Sequence, residues 1–326
     1  MRELTVLQAI NEGIREEMER DERVFLIGED LWGLPGGPHG VYKGLPEQFG
    51  STRVIQTPIS ESALMGATVG AAATGMRPIV EIMHMDFMTI AMDQIVNHAA
   101  KLRYMTGGQA TLPLVMRTPA GSGQGNAAQH SQSLEAWLVH VPGLKVVMPS
   151  TPYDAKGLMK SAIRDNNPVM YIEHKVAYNR KGPVPEEEYL VPLGKADVKR
   201  EGTDVTIIAT AYMVYMALQA ADELARDGIS AEVVDPRTLN PLDIDTLIAS
   251  VRKTRRFVVV HEANKTCGIG AEILSQIVET AFTDLDAPPR RVCGEDVPIP
   301  YNRSLEARQI PSVERIAGAV LELCRY

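Results

Sequence analysis

Cysteine is scarce in this chain: three thiols, Cys267, Cys293 and Cys324, among 326 residues, and no CxxC pair. That excludes a disulfide framework and a cysteine-built zinc site, and leaves buried or idle thiols in a reducing compartment as the expectation. Basic charge is also short, with 33 Lys and Arg against 41 Asp and Glu and a net charge of −8. A general nucleic-acid binder shows a basic face, so that class is set aside. No apolar run reaches the ~20 residues that cross a bilayer. The longest, Ala63 to Met76, contains two threonines and is expected as a buried helix. Met1-Arg2-Glu3-Leu4-Thr5 holds no apolar signal core, so a cytoplasmic location without membrane contact is expected. The histidines show neither HxxxH nor HExxH spacing. A Gly-x-x-x-x-Gly-Lys-Ser/Thr phosphate loop and a dinucleotide fingerprint are missing too.

What is present is ordinary globular composition, 45% hydrophobic and 23% charged, over a length that suits two domains at roughly 100–200 residues each. Thr5 is a cap candidate for a first helix with Val6, Ile10, Ile14 and Met18 on its inner face and Glu16, Glu17 and Glu19 largely outside. Strand candidates follow at 24–27, 78–83, 113–116, 144–148 and 169–172, with helices expected over 62–75, 86–104 and 153–165. Strand and helix alternate, which implies a parallel sheet covered on both faces. The stretch 178–192, rich in Pro, Glu and Arg, interrupts the pattern. Alternation then resumes: strands at 205–209, 231–234 and 257–260, helices at 213–226, 244–253 and 271–282, and a last helix over 313–323 capped by Ser312. The expectation is α/β throughout, with one domain over 1–177, a linker over 178–200 and a second domain over 201–326.

Several segments carry residues suited to chemistry. Val54-Ile55-Gln56-Thr57-Pro58-Ile59-Ser60-Glu61 ends in a carboxylate that opens a run of small residues, including Gly66, Gly70 and Ala73. Glu61 is either a first-turn acid favoured by the helix dipole or a reactive group. Phe87, in Met83-His84-Met85-Asp86-Phe87-Met88, is either core or a ring-stacking residue. His130 follows the glycine-rich Gly121-Ser122-Gly123-Gln124-Gly125-Asn126 and lies among polar residues, poor surroundings for a core histidine and good ones for proton transfer. A second glycine-rich loop, 33–40, is either a surface connection or a border of the active site.

In this order and spacing, with Asp93-Gln94-Ile95-Val96-Asn97 and Ala162-Ile163-Arg164-Asp165-Asn166-Asn167-Pro168, the chain resembles the β subunit of a thiamine-diphosphate-dependent 2-oxo acid dehydrogenase E1 component. The likeness covers nearly all of it and is nearest the acetoin dehydrogenase branch. The resemblance implies a pyrimidine-binding parallel-sheet domain followed by a transketolase C-terminal-like α/β domain. It makes Glu61 the group that hydrogen-bonds the aminopyrimidine of thiamine diphosphate, and Phe87 the aromatic packed on that ring. It makes His130 a substrate-channel residue that assists acyl transfer to the lipoyl arm of E2. Leu114, Ala162, Ile163, Asp165 and Asn167 match a potassium site, where a helix end exposes carbonyl oxygens of the hard type such ions accept. Asp286, in Leu285-Asp286-Ala287-Pro288, and Tyr326 match positions that dock the E2 core; Asp286 read alone is equally a solvated turn residue. The small residues Gly66, Gly70 and Ala73 match a place where subunits meet.

Mg²⁺-diphosphate binding in this family uses Gly-Asp-Gly followed by Asn-Asn. Gly28-Glu29-Asp30 and Gly294-Glu295-Asp296 do not supply that order, and Asn166-Asn167 follows no Gly-Asp-Gly. A separate α subunit is therefore expected to hold Mg²⁺ and the diphosphate in an α2β2 heterotetramer. Pyruvate and branched-chain 2-oxo acids stand beside acetoin as substrates. A one-chain transketolase-like enzyme and a non-catalytic E1–E2 docking scaffold are the other readings.

Overall fold

A computed structural model describes residues 1–32 and 36–326, so residues 33–35 of the first glycine-rich loop lie outside the described residues. The chain divides into two compact units, 1–120 with 137–193, and 121–136 with 194–326.

The first unit begins with strand β1 (Arg2–Thr5) and helix α1 (Val6–Arg20). Thr5 closes a capping box, its side chain accepting from the Gln8 amide while Gln8 reaches back to the Thr5 amide. Strands β2 (Val24–Glu29), β3 (Val54–Thr57), β4 (Arg77–Glu81), β5 (Val115–Ala120), β6 (Lys145–Val147) and β7 (Val169–His174) form a parallel sheet in the order β6-β7-β5-β4-β2-β3. β8 (Lys181–Val184) pairs antiparallel with β1. The helices are α2 (Leu45–Phe49), α3 (Glu61–Ala73), α4 (Leu102–Met105), α5 (Glu135–Val139), which spans the change of unit, and α6 (Pro152–Arg164).

One face of the sheet packs on α1 and α6. Ile10, Ile14 and Met18 join Leu26, Ile79, Val115, Val169, Leu158 and Met159 in a single buried cluster, each large apolar side chain contributing about 1.5–3 kcal/mol. The two helices cross closely at Gly13, where an added Cβ would lie 3.2 Å from the Lys156 carbonyl. Around that crossing Lys156 reaches Glu16 (2.7 Å), Lys160 reaches Glu16 (2.6 Å), and Arg164 holds Glu17. Glu17 is thus fully buried rather than outward-facing, because Arg20 and Arg164 both pair with it. The opposite face of the sheet receives α3, which lies against β4. α3 is not buried all round: Leu64, Met65, Thr68, Val69 and Ala72 turn inward, while Ser62, Ala63, Ala67, Gly70 and Ala73 are exposed.

The helix expected over 86–104 is broken. A 3-10 turn covers Met85–Ala91, a π-helical turn Gln94–Ala99, and only then does α4 form. Met85, Asp86, Met88, Ala91, Ile95, Ala99 and Ala100 are buried along this stretch, with the first turn wound tighter and the second wider than an α-helix.

The second unit holds β9 (Asp197–Arg200), β10 (Val205–Ala209), β11 (Ala231–Asp235), a short β12 (Thr238–Asn240), β13 (Phe257–Asn264) and β14 (Arg290–Gly294). Five of these form a sheet in the order β14-β13-β10-β11-β9, parallel except for β9. Helices α7 (Met213–Arg226), α8 (Ile244–Thr254), α9 (Ile269–Ala281), α10 (Arg303–Gln309) and α11 (Val313–Leu323) surround it. α7 and α11 enclose Val205, Ile207, Val233, Val258 and Val260, and Ser312 caps α11 by accepting from the Arg315 amide at 3.2 Å. The stretch 178–200 carries two short strands, β8 in the first unit and β9 in the second. Among the described residues no helix is long and apolar enough to cross a membrane.

Candidate active site

In parallel α/β sheets the carboxyl ends of the strands are where ligands gather. Here that edge of the first unit is charged. Glu29 ends β2, Glu81 ends β4, Glu173 lies one residue before the end of β7, and Arg117 sits in β5. All four are buried. Register sets Glu81 beside Arg117 and Pro119 beside Glu173. The Arg117 guanidinium pairs with Glu81 at 2.9 Å and with Glu173, and donates to the hydroxyls of Tyr42 (2.8 Å) and Tyr178 (2.9 Å). Burial alone would discharge this arginine, but Glu173, Tyr42 and Glu81 outweigh it and hold its charge firmly. Burial still pushes the Glu173 carboxyl above its ordinary range despite that partner.

On the other face of the sheet, β2 ends beside the start of α3. Glu61, 6% exposed, is the first residue of α3. The preceding residue, Ser60, donates its amide to Glu29 Oε1 at 3.1 Å. The second oxygen of Glu29 is enclosed and has no hydrogen-bond partner among the described residues. Burial first, and then the neighbouring Glu61 charge, raise the affinity of Glu29 for a proton. Glu29 and Glu61 thus lie close enough for the charge of one to act on the other. Phe87 belongs to the adjoining 3-10 turn, which is tied to α3 by the Ser62 hydroxyl donating to the Ile90 carbonyl at 2.8 Å. Its half-buried ring meets His84 edge-on at 5.5 Å, and His84 meets His39 edge-on at 5.3 Å. His39 stands 3.1 Å from the Met83 carbonyl, and burial lowers its proton affinity. Glu61 and Phe87 are thus brought to neighbouring elements. Among the described residues no group of three His, Cys, Asp or Glu converges as a metal site.

His130 lies in the second unit, on the segment 121–136. Gly121, Gly123, Gly125 and Ala127 all have left-handed φ, between 61° and 97°, which explains the glycines. Glu262, on β13, accepts from the Ser122 amide (2.6 Å) and hydroxyl (2.9 Å). Glu306, on α10, accepts from the amides of Gly123 (2.7 Å) and Gly125 (2.9 Å). The residues matched to a potassium site gather at the end of α6. Leu114 and Ala162 accept from the amides of Val169 and Asp165, and the Asp165 carboxylate accepts from the Asn167 amide at 2.8 Å. Burial raises the Asp165 carboxyl, but Lys145 and Asn167 more than reverse that. Arg77 reaches the same place, donating to the carbonyls of Ile163 (2.9 Å) and Asp165 (2.8 Å). Asp286 is paired with Arg255 at 2.8 Å, which keeps its carboxyl below the usual range, and Tyr326 is 66% exposed. Gly66 does take a close neighbour, the Gln94 side chain at 3.2 Å from an added Cβ, whereas Gly70 has none within 4 Å.

Residues 2–181 match the family of transketolase pyrimidine-binding domains, and residues 194–316 that of transketolase C-terminal domains. The acetoin:2,6-dichlorophenolindophenol oxidoreductase subunit beta of Cupriavidus necator is 50% identical over 98% of this chain and 96% of its own length. The chain belongs to the E1 β-subunit family. Its Bacillus subtilis relative of the same name is 47% identical over 99% of this chain and 97% of that one. The pyruvate dehydrogenase E1 component subunit beta of Porphyra purpurea is 48% identical over 98% and 96%. A solved split-gene transketolase, an inactive β4 tetramer, shares the fold with a TM-score of 0.80 over 99% of this chain and 98% of that one, at 22% identity. This E1 β-family chain is accordingly of the thiamine-diphosphate-dependent oxidoreductase kind, built as a pyrimidine-binding domain followed by a transketolase C-terminal domain.

The sequence reading missed Glu29, Arg117, Glu262 and Glu306. Glu29 was in view only as part of a failed diphosphate motif, Gly28-Glu29-Asp30. Its signal was an acid closing an otherwise apolar strand, a pattern shared by Glu81 and Glu173. Glu262 and Glu306 lie 140 and about 180 residues from the amides they bind, and nothing local marks them.

Proposed function

We propose that this chain acts with an α subunit, as an α2β2 heterotetramer, to cleave acetoin or oxidatively decarboxylate a 2-oxo acid and pass the acyl group to lipoyl-E2. The observation that carries the reading is Glu61, buried at the start of α3 against Glu29. Thiamine diphosphate, when bound, supplies the electron sink for the cleaved carbon–carbon bond. The protein's part is to orient and to move protons. Glu61 would hydrogen-bond the pyrimidine ring and Phe87 would lie against its face, with Glu29 close enough to Glu61 to feel its charge. His130 serves as the proton-transfer group for the acyl step, where an imidazole works near neutral pH. The α subunit holds Mg²⁺ and the diphosphate.

Potassium, where bound, is structural. The carbonyls of Ile163 and Asp165 share it with Arg77 through their second lone pairs, and those of Leu114, Ala162 and Asn167 complete the set. Asp286 and Tyr326 dock the E2 core, with a basic partner group exchanging for Arg255 at Asp286. The domains run over 1–177 and 201–326, and the protein works in the cytoplasm. Acetoin stands first because two similar relatives carry that name, while pyruvate and branched-chain relatives are comparably similar, at 48% and 47% identity. The deciding experiment is a substrate panel of acetoin, pyruvate and 2-oxoisovalerate, run on the α/β pair with thiamine diphosphate, Mg²⁺ and a dye acceptor. Turnover of acetoin alone establishes the branch. Full turnover by this chain without α refutes the shared site.

A further inference from the structure

The glycine loop before His130 is a place where backbone amides converge, and a chain whose residues alternate in and out of the left-handed region, as Gly121, Gly123, Gly125 and Ala127 do, can aim its amides at one anion. Here the anion is internal. Glu306 is 1% exposed and its two oxygens take the amides of Gly123 and Gly125 at 2.7 and 2.9 Å, while Glu262, 8% exposed, takes the amide and hydroxyl of Ser122 at 2.6 and 2.9 Å. Glu306 is itself fixed: α10 is capped by Asn302, whose side chain accepts from the Ser304 amide at 3.0 Å. Arg303, one turn earlier, lies along Gly125 and donates to the Gln124 carbonyl. At its far end the loop closes through the Gly121 amide and the Gln132 carbonyl, at 3.4 Å. His130 thus hangs between a closed base and a loop held by two buried carboxylates.

We infer that Glu306, assisted by Glu262, is a positioning residue for His130. Buried side-chain oxygens that each take a loop amide hold Gly121–Ala127 in its alternating left-handed path, which a free loop would leave. Neither carboxylate touches substrate or cofactor in this account; each acts through the loop. The inference rests on the reading of His130 as the acyl-transfer histidine. It also assigns the second unit a part in the chemistry, because the carboxylates on β13 and α10 fix a segment that lies far earlier in the chain.

The test uses the α/β holoenzyme with Glu306→Gln, Glu306→Ala, His130→Ala and the Glu306→Ala/His130→Ala pair. Two quantities are read: hydrogen exchange of the peptide 121–134, and acyl transfer to a lipoyl domain. Glu306→Ala should speed exchange of the loop amides at least about tenfold and slow transfer about ten- to hundredfold, as displaced catalytic groups do. Glu306→Gln keeps one acceptor oxygen and the side-chain volume, so it should fall between wild type and Ala in both. The double variant should transfer no more slowly than His130→Ala alone. Unchanged exchange in both Glu306 variants overturns the anchoring. Faster exchange with undiminished transfer, while His130→Ala is slow, overturns the positioning. If His130→Ala transfers at the wild-type rate, the proposal falls together with the reading of His130, and the exchange data still separate that failure from loss of the anchor.

Discussion

Replacing Arg117 by Met should unlock the first unit more than any other single exchange at its sheet edge. The guanidinium is completely buried between Glu81 and Glu173 and satisfies the hydroxyls of Tyr42 and Tyr178. Met fills much of its volume but leaves two buried carboxyl groups without the guanidinium that pairs with both. Removing one member of a buried ion pair typically costs about 3–5 kcal/mol, which for a domain of this size lowers the melting temperature by about 6–20 °C. The pH dependence has a definite sign. Burial already raises the Glu173 proton affinity in the native protein, and Arg117 is the chief group opposing that rise. Without it the folded-state pKa climbs further above the ordinary carboxylate value. The carboxyl then binds its proton in the folded protein and contributes stability below the unfolded-state pKa. That contribution is lost as pH rises through the folded-state pKa, so the variant's deficit should be smallest near pH 5 and largest near pH 8. Adding Glu173→Gln removes the stranded charge and should recover at least about half of the loss. Urea unfolding at both pH values, followed by the tyrosine signal, measures all three proteins. Equal stability of Arg117→Met and wild type at pH 8, or no recovery in the double variant, would refute the account of Arg117 as the counter-charge of this edge.

Two further outcomes follow from the same geometry. Glu61→Gln in the α/β pair should slow exchange of the cofactor's reactive proton by about 10²–10⁴-fold, the usual span for loss of a proton-transfer group, with assembly intact; NMR of quenched samples reads it, and an unchanged rate removes Glu61 from its role. His261 is fully buried on Cys293 at 3.2 Å, and burial pushes it down to about 4. Its folded-state pKa is depressed, so its contribution is complete above the unfolded value near 6.5 and is lost as pH falls toward 4, about 2 kcal/mol between pH 7 and pH 5. His261→Gln should flatten that limb of the stability curve, and a curve parallel to wild type would show that His261 does not cause it.

Much of the scaffold was readable because its determinants are local. Thr5 and Ser312 sit where helices must begin, and both cap them. The apolar runs at 205–209 and 169–172 can only be strands buried on both faces, and they are. The helix expected over 86–104 is replaced by a 3-10 turn, a π turn and the short α4, a break that spacings of three and four, both helical, do not announce. Glu17 was misassigned because periodicity counts charge as outward, and two arginines, one of them on α6, reverse that. For the candidate site, Glu61, Phe87 and His130 stood out through family resemblance, and the first two do come to adjoining elements. The carboxylates that tune or anchor these residues were hidden, since a buried acid is recognised only with its partner, and the partners are brought by register or by contacts far along the chain.

Alternation along the strands then sorts the acids of the first unit by role. Glu81 and Glu173 share a face with Ile79, Val115 and Tyr171, the face that packs on α1 and α6, and Arg117 stands among them. Their charge is answered and they are fixed. Glu29 is in phase with Ile27 and turns to the α3 side, where burial and the Glu61 charge raise its proton affinity against the opposing Ser60 amide. One residue of phase thus decides whether a buried glutamate meets the ion cluster around Arg117 or the start of α3. The placement of Glu29 at the start of α3, where the Glu61 charge acts on it, therefore comes from the pleat of the sheet.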